Sequence, residues 1–311
     1  MRKSFAEIAI QSFLLLSQNF VLTYPLLFFF MLLAVLVPGD NKPALELRWI
    51  LLFTGIFLIF CAVMAGSYTM TAEAVRQHLD RQKNPPKPLS LEDDPALFNP
   101  FADFVSLLKV FFPGVGQYFL RFVLGGFVQA VVVGLVWLWF ERSVHANGSD
   151  VVALQKMSAL QELAAKGSNV NPQTFIGSFS ALEQQQFAVF SGMFLCALGM
   201  YGAFYFLTLY WPAFVVLKEK PVWSAYWESL RQCAARPLTL LAIICLFVSL
   251  HMTMAFLPQS GGAFLVALWH FLTVLLSVYF SIVVVMTVAD THGVEPVLPT
   301  PAKGTLIDKQ G

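Results

Sequence analysis

Five stretches of this chain contain no Asp, Glu, Lys or Arg: residues 8–39, 49–72, 122–140, 184–217 and 237–289. A helix on the surface of a soluble protein carries charge on its wet face. At the centre of a membrane helix each such charge costs about 2.5–3.5 kcal/mol. The stretches are 32, 24, 19, 34 and 53 residues long, and a helix needs about 20 residues to cross the hydrocarbon layer. The fifth holds two spans, broken at Pro258-Gln259-Ser260-Gly261-Gly262. The pattern therefore predicts an all-α, polytopic membrane helical bundle with six transmembrane helices. They fall near 20–37, 49–68, 122–140, 187–210, 238–257 and 263–289, within one integral membrane domain over 1–311. Composition supports this. Hydrophobic residues make up 58%, charged residues 12%, and mean hydropathy is +0.70. That much apolar side chain cannot be hidden inside a water-facing globule of this size.

The Lys and Arg residues set the orientation. With the N-terminus inside, 14 of them fall on the cytoplasmic side and 5 (Lys42, Arg48, Arg142, Lys156 and Lys166) on the other. The positive-inside rule then places both termini in the cytoplasm, as an even number of spans requires. The expected location is the inner (plasma) membrane, with lipids as the first partners. Net charge is +1, so nothing provides the basic face a nucleic-acid binder needs.

Two insertions and a tail lie outside the spans. Residues 69–118 form a cytoplasmic insertion with a Pro85-Pro86-Lys87-Pro88 run and a Glu92-Asp93-Asp94 triplet. Proline there stops a helix and favours extended chain. Residues 141–186 form an external helical insertion, in which Asp150 and Asn171-Pro172 are candidate helix starts. Ser180 and Glu183 have capping-box spacing just before the fourth span. Asn147-Gly148-Ser149 matches a glycosylation acceptor. Residues 290–311 read as a flexible cytoplasmic tail. A protein partner would dock on 141–186 or on the cytoplasmic amphipathic helices.

About three such amphipathic helices are expected, at 4–18, 101–112 and 222–235. In the first, Ser4, Glu7, Gln11 and Gln18 fall on one stripe. In the last, Trp223, Tyr226, Trp227 and Leu230 form one face while Ser224, Glu228, Arg231 and Gln232 line the other. Each precedes a span, which suggests a threefold repeat of an interfacial helix and a transmembrane hairpin. Phe5-Ala6-Glu7 and Phe101-Ala102-Asp103 begin two of the units alike.

The segment from Tyr210 to Arg231, with Pro212, the Lys218-Glu219-Lys220 turn and Ser229, resembles part of certain six-span bacterial membrane proteins. These are the YciC-like proteins and the membrane domain attached to some glycerophosphodiester phosphodiesterases. The resemblance implies the six-span layout over most of the chain. It implies no catalytic residues here, since only about 20 residues follow the last span.

Proton relays and ion sites inside membranes are built from ionisable groups. The expected spans hold only His251 and His270 at depth. Counted from Gln259-Ser260, His251 lies about 8 residues before the turn and His270 about 10 after it. If the two helices pair about that turn, the rings reach similar depth and could share a proton or metal. Ser67 with His251 is a further conceivable nucleophile and base. No H-E-x-x-H, P-loop or G-x-S-x-G motif occurs, and Cys61, Cys196, Cys233 and Cys245 are scattered. No cofactor, metal site or catalytic residue is assigned. Ala62-x-x-x-Gly66, Gly125-Gly126, Gly134 and Gly199-x-x-Gly202 are candidates for close helix packing. Pro25 and Pro212 are expected to kink their spans. Trp137, Trp139, Trp211, Trp223 and Trp227 fit interface belts. The expected role is a non-catalytic accessory or lipid-organising protein; the alternative is a transporter or channel for an apolar or amphipathic substrate.

Overall fold

In the computed structural model, described over residues 3–36, 47–83, 100–147, 179–255 and 262–293, every regular element is a helix. In chain order they are α1 (Phe5–Gln18), a 3-10 turn (Phe20–Thr23), α2 (Tyr24–Leu36), α3 (Leu47–Lys83) and α4 (Pro100–Ala146). Then follow α5 (Ala181–Leu207), α6 (Trp211–Leu217), α7 (Val222–Ala235), α8 (Pro237–Ala255) and α9 (Gly262–His292). Four single helices are long and apolar enough to cross a membrane. Two further helix pairs pass the same test together but are sharply bent, 5–18 with 20–33 by 90° and 222–235 with 237–252 by 98°. The total is six if each bent pair is one span. The proline run at 85–88, the candidate starts at Asp150 and Asn171, and the 258–262 break lie outside the described residues.

The bends have local causes. Ser4 and Glu7 form a capping box that starts α1. Asn19 ends it: its backbone N–H reaches the carbonyls of Leu15 and Leu16, and its side-chain Nδ2 donates to Leu15 O at 3.0 Å. Pro25 sits at the start of α2, where its missing N–H costs nothing, so the turn falls at Asn19 rather than at the proline. Likewise Arg236 closes α7 and Pro237 opens α8. The expected helix at 101–112 has no such break, because α4 runs unbroken from Pro100 through Pro113 to Ala146. The helix-then-bend arrangement is thus present at two of the three places where the sequence suggests it.

Other boundaries also move. α3 continues as helix to Lys83, well past the expected end of the second span. The fourth span breaks at Thr208–Tyr210, and Pro212 sits at the second position of the short helix that follows, rather than kinking a continuous one. At α5 the expected capping box is present, with Ser180 N–H on Glu183 Oε2 at 2.8 Å and Glu183 N–H on Ser180 Oγ at 3.3 Å.

The contacts divide the chain into two compact units, residues 1–126 with 207–311, and residues 127–206. In the first, residues 65–75 of α3 and 282–289 of α9 are buried on every side, as is all of α6. α6 packs against α3, α7 and α9. Around these, α1 runs antiparallel along α9: Lys3 N–H meets Asp290, Tyr279 OH donates to Ala9 O, and the Phe20 ring meets Phe271. Ile8, Ser12, Leu15 and Leu16 form its buried stripe. In the second unit the Phe140 ring packs on Phe190 and Phe194, which joins α4 to α5.

Close packing uses glycine at some of the expected positions. A Cβ on Gly66 would overlap the Phe111 ring, and one on Gly125 would overlap the Trp211 ring. Gly134, Gly199 and Gly202 have open space instead. Gly114, which the sequence pattern does not single out, faces the buried Thr69 side chain.

Candidate functional site

The residues with the most specific geometry gather where α6, α7 and the end of α9 meet. α7 bridges α4 and α9. Near its start Tyr226 OH donates to Gly125 O of α4 at 2.9 Å; near its end Gln232 Nε2 donates to Thr291 Oγ1 of α9 at 3.0 Å. Its protein-facing side is Val222, Ala225, Tyr226, Ser229, Gln232 and Cys233. Trp223, Trp227 and Leu230 point outward, with Trp223 73% exposed. The aromatic face therefore divides: Tyr226 turns in, while both tryptophans turn away from the protein.

Ser229 is fully buried and holds the break between α5 and α6. Its Oγ accepts from Tyr210 N–H at 3.1 Å and donates to Leu207 O at 3.0 Å. Both are backbone groups that the broken helix leaves without a regular partner. Cys233 Sγ also donates to Leu207 O, at 3.5 Å, so Ser229→Ala is expected to strip Tyr210 N–H of this partner and lower stability by about 1–3 kcal/mol, read as a drop in the melting midpoint of the detergent-solubilised protein. Ser229→Thr, which keeps the hydroxyl, tests whether that loss comes from the hydrogen bonds.

Two polar clusters flank this joint. Asp290 Oδ2 accepts from Arg236 Nη1 at 3.3 Å, and its Oδ1 accepts from Lys3 N–H at 3.2 Å. Lys3 Nζ continues to Gln11 and Gln82. On the other flank Glu219 takes a positive φ of 48°. Its carbonyl receives Arg121 Nη1 at 2.8 Å, and its carboxylate receives Gln117 Nε2 at 3.0 Å. These two bonds to α4 hold a residue in a left-handed conformation that costs most side chains about 1–2 kcal/mol.

Trp211 does not belong to an interface belt. It is 5% exposed, stacked on Tyr226 at 5.2 Å between ring centroids and set against Phe122. Trp137, Trp139, Trp223 and Trp227 are exposed.

The two sequence-derived histidines are not brought together. His251 is exposed, stacks on Phe247 at 3.9 Å, and has its Nδ1 2.9 Å from Phe247 O. Its ring lies 6.4 Å from that of Phe280. Phe280 is ten residues beyond His270 on α9, about 15 Å along the helix axis. His270 is also exposed, with its ring edge-on to Trp269. The sequence count assumed equal depth on either side of the turn; the α9 ring beside His251 is that of Phe280, not His270. Ser67 Oγ is buried and makes no hydrogen bond among the described residues, so His251 does not act on it there. Among the described residues, no group of three or more His, Cys, Asp and Glu side chains gathers in metal-binding range.

The cavities differ in character. One, of about 400 Å³, lies between α1, α8 and α9, with Phe13, Leu16, Leu246, Leu250, Leu272 and Leu276 in its wall. Tyr279 also lines it, but its hydroxyl is engaged at Ala9 O. A second, of about 360 Å³, is polar and lined by Phe214, Lys218, Lys220, Glu228 and His292. In the 127–206 unit a third, of about 750 Å³, is bounded by Trp137, Glu141, Arg142, His145 and Phe190.

The chain was compared with protein-family models, curated proteins and solved structures, and nothing matches.

Proposed function

We propose that this chain is a non-catalytic protein of the inner (plasma) membrane, crossing it six times with both termini in the cytoplasm, and that it organises lipid. The six-span proteins it resembles in sequence suggest the same layout. The groove between α1, α8 and α9 carries the reading. At about 400 Å³ it lies within the ~300–1,000 Å³ range of ligand sites. Its wall is leucine and phenylalanine, and its lone phenolic hydroxyl is already engaged. Such a wall suits a hydrocarbon chain and gives a polar substrate nothing to hold. A transport path for an amphipathic substrate would need polar groups converging inside the bundle. Here the centre of the larger unit is filled by α6 and its neighbours, which favours the lipid-organising role over the transporter.

The test is purification of the full chain in native-lipid nanodiscs, then gentle transfer to detergent and native mass spectrometry. The wild type is expected to retain lipid in defined stoichiometry. Leu250→Trp, which fills the groove, should lower retention several-fold while leaving the melting midpoint within a few degrees. Equal retention by the two proteins would sink the groove as a lipid site. Capture of a small apolar or amphipathic compound in place of lipid would favour transport.

A further inference from the structure

α1 and α7 are built to one plan. Each is 14 residues long and starts from an extended cap, Ser4 at φ -69° and ψ 157°, Pro221 at φ -63° and ψ 153°. Each ends on a residue of nearly the same conformation, Asn19 at φ -124° and ψ 57°, Arg236 at φ -135° and ψ 61°. Each then bends, by 90° and 98°, toward an apolar helix. The fourth, eighth, eleventh and twelfth positions are buried in both: Ile8, Ser12, Leu15 and Leu16 in α1, Ala225, Ser229, Gln232 and Cys233 in α7. The eighth position is a fully buried serine in each.

The two serines differ in what they meet. Ser229 Oγ ties down a helix break through Tyr210 N–H and Leu207 O. Ser12 Oγ is buried with no hydrogen-bond partner among the described residues. A hydroxyl taken out of water without a new partner costs stability, so the seat of α1 is the weaker of the two. Its remaining polar ties are long or exposed: Lys3 N–H on Asp290 at 3.2 Å, Tyr279 OH on Ala9 O at 3.3 Å, and the exposed Lys3 Nζ on Gln82 at 2.9 Å.

α1 also forms one wall of the apolar groove, through Phe13 and Leu16. The other walls belong to α8 and α9, which are joined by Phe247 on Phe280 at 5.0 Å. We propose that α1 is a hinged strap, which pivots at Asn19 and parts from α9 to let a hydrocarbon chain into the groove. The inference rests on the reading of that groove as a lipid site and adds the way in. The helix ends at Asn19, and beyond the bend α2 is packed on α3 through Phe29 and Phe60 at 5.4 Å, so α2 stays while α1 moves. The outer side of α1 is already apolar, with Ile10 and Phe13 each 62% exposed. Lipid tails are as apolar as a protein interior, so turning Leu15 and Leu16 toward them costs little. The polar ties then decide whether the strap is open or closed, and Ser12 sets one of them against closure.

The experiment is hydrogen–deuterium exchange of the full chain in phosphatidylcholine nanodiscs, read by mass spectrometry over residues 5–18 and 222–235. Ser12→Ala removes the hydroxyl that lacks a partner. It should slow exchange over 5–18 by about fivefold or more and leave 222–235 unchanged. Ser229→Ala, at the matching position, should instead speed exchange over 222–235. Replacement of bound lipid by deuterated phosphatidylcholine, followed by native mass spectrometry, should also be several-fold slower in Ser12→Ala than in the wild type. Exchange over 5–18 that is unchanged or faster in Ser12→Ala overturns the strap. So does slowed exchange over 5–18 with lipid replacement at the wild-type rate, because α1 would then move without admitting lipid. Leu250→Trp separates the two readings. Wild-type lipid retention in that variant sinks the groove and the strap together, whereas lost retention with lipid replacement indifferent to Ser12→Ala sinks the strap alone.

Discussion

Asp290→Asn is expected to destabilise the protein by about 3 kcal/mol, the low end of the range for removing one partner of a buried ion pair, because this pair is part-buried. Asp290 and Arg236 side chains are each 11% exposed and meet at 3.3 Å. The same carboxylate accepts the Lys3 backbone N–H. One charge therefore joins the N-terminal segment, the α7–α8 elbow and the last turn of α9. Asn can still accept one hydrogen bond, but it leaves the part-buried guanidinium without its counter-charge. The cost arises from that orphaned cation more than from the net strength of the pair. Hence Arg236→Met/Asp290→Leu should recover more than half of the loss. The measurement is the melting midpoint of the detergent-solubilised chain by heated size-exclusion. Asp290→Asn should lower it by roughly 5–15 °C, and the exposed control Asp80→Asn by little. Equal midpoints for the two variants would show that the pair holds nothing together.

Gly125→Leu should be the second large perturbation. A side chain there enters the space of the Trp211 ring. That ring has nowhere to go, since it is stacked on Tyr226, packed against Phe122 and buried in the core. α4 must then move away, which also threatens the 2.9 Å bond from Tyr226 to the Gly125 carbonyl. Overpacking of this kind costs about 1–3 kcal/mol, occasionally more. Gly116→Ala on the same helix is the contrast. A Cβ there meets nothing within 4 Å, and the change should be neutral or stabilising by up to about 1 kcal/mol. Similar midpoints for Gly125→Leu and Gly116→Ala would contradict the packing described for Trp211.

These effects were unevenly legible in the sequence. Gly125 could be marked as a packing glycine, but its partner could not be named, and Gly114 went unmarked although it faces a buried threonine. Asp290 is the charge that ends the longest charge-free stretch, and Arg236 the one that begins it. Their pairing depends on the start of α8 meeting the last turn of α9, which no local rule predicts. Ser229 carried a hint through the resemblance, but its task of closing the 207–210 break was invisible, because the break itself shows no glycine. The histidine pair failed for a geometric reason. Counting from a turn assumes equal rise on both sides, whereas packing at Phe247 and Phe280 set the register.

By itself the sequence determined the helical class, the approximate position of the apolar segments and the capping box at Ser180. Each follows from a local rule: absence of charge over about 20 residues, or a side chain reaching its own backbone. Only the tertiary structure decided that α6 sits in the core, that α1 lies along α9, that Trp211 turns inward while Trp223 and Trp227 turn out, and that α4 runs through Pro113 unbroken. The physical reason is that lipid tails are as apolar as a protein interior. An apolar residue in such a chain signals that it avoids water, and leaves open whether it faces a neighbouring helix or the membrane.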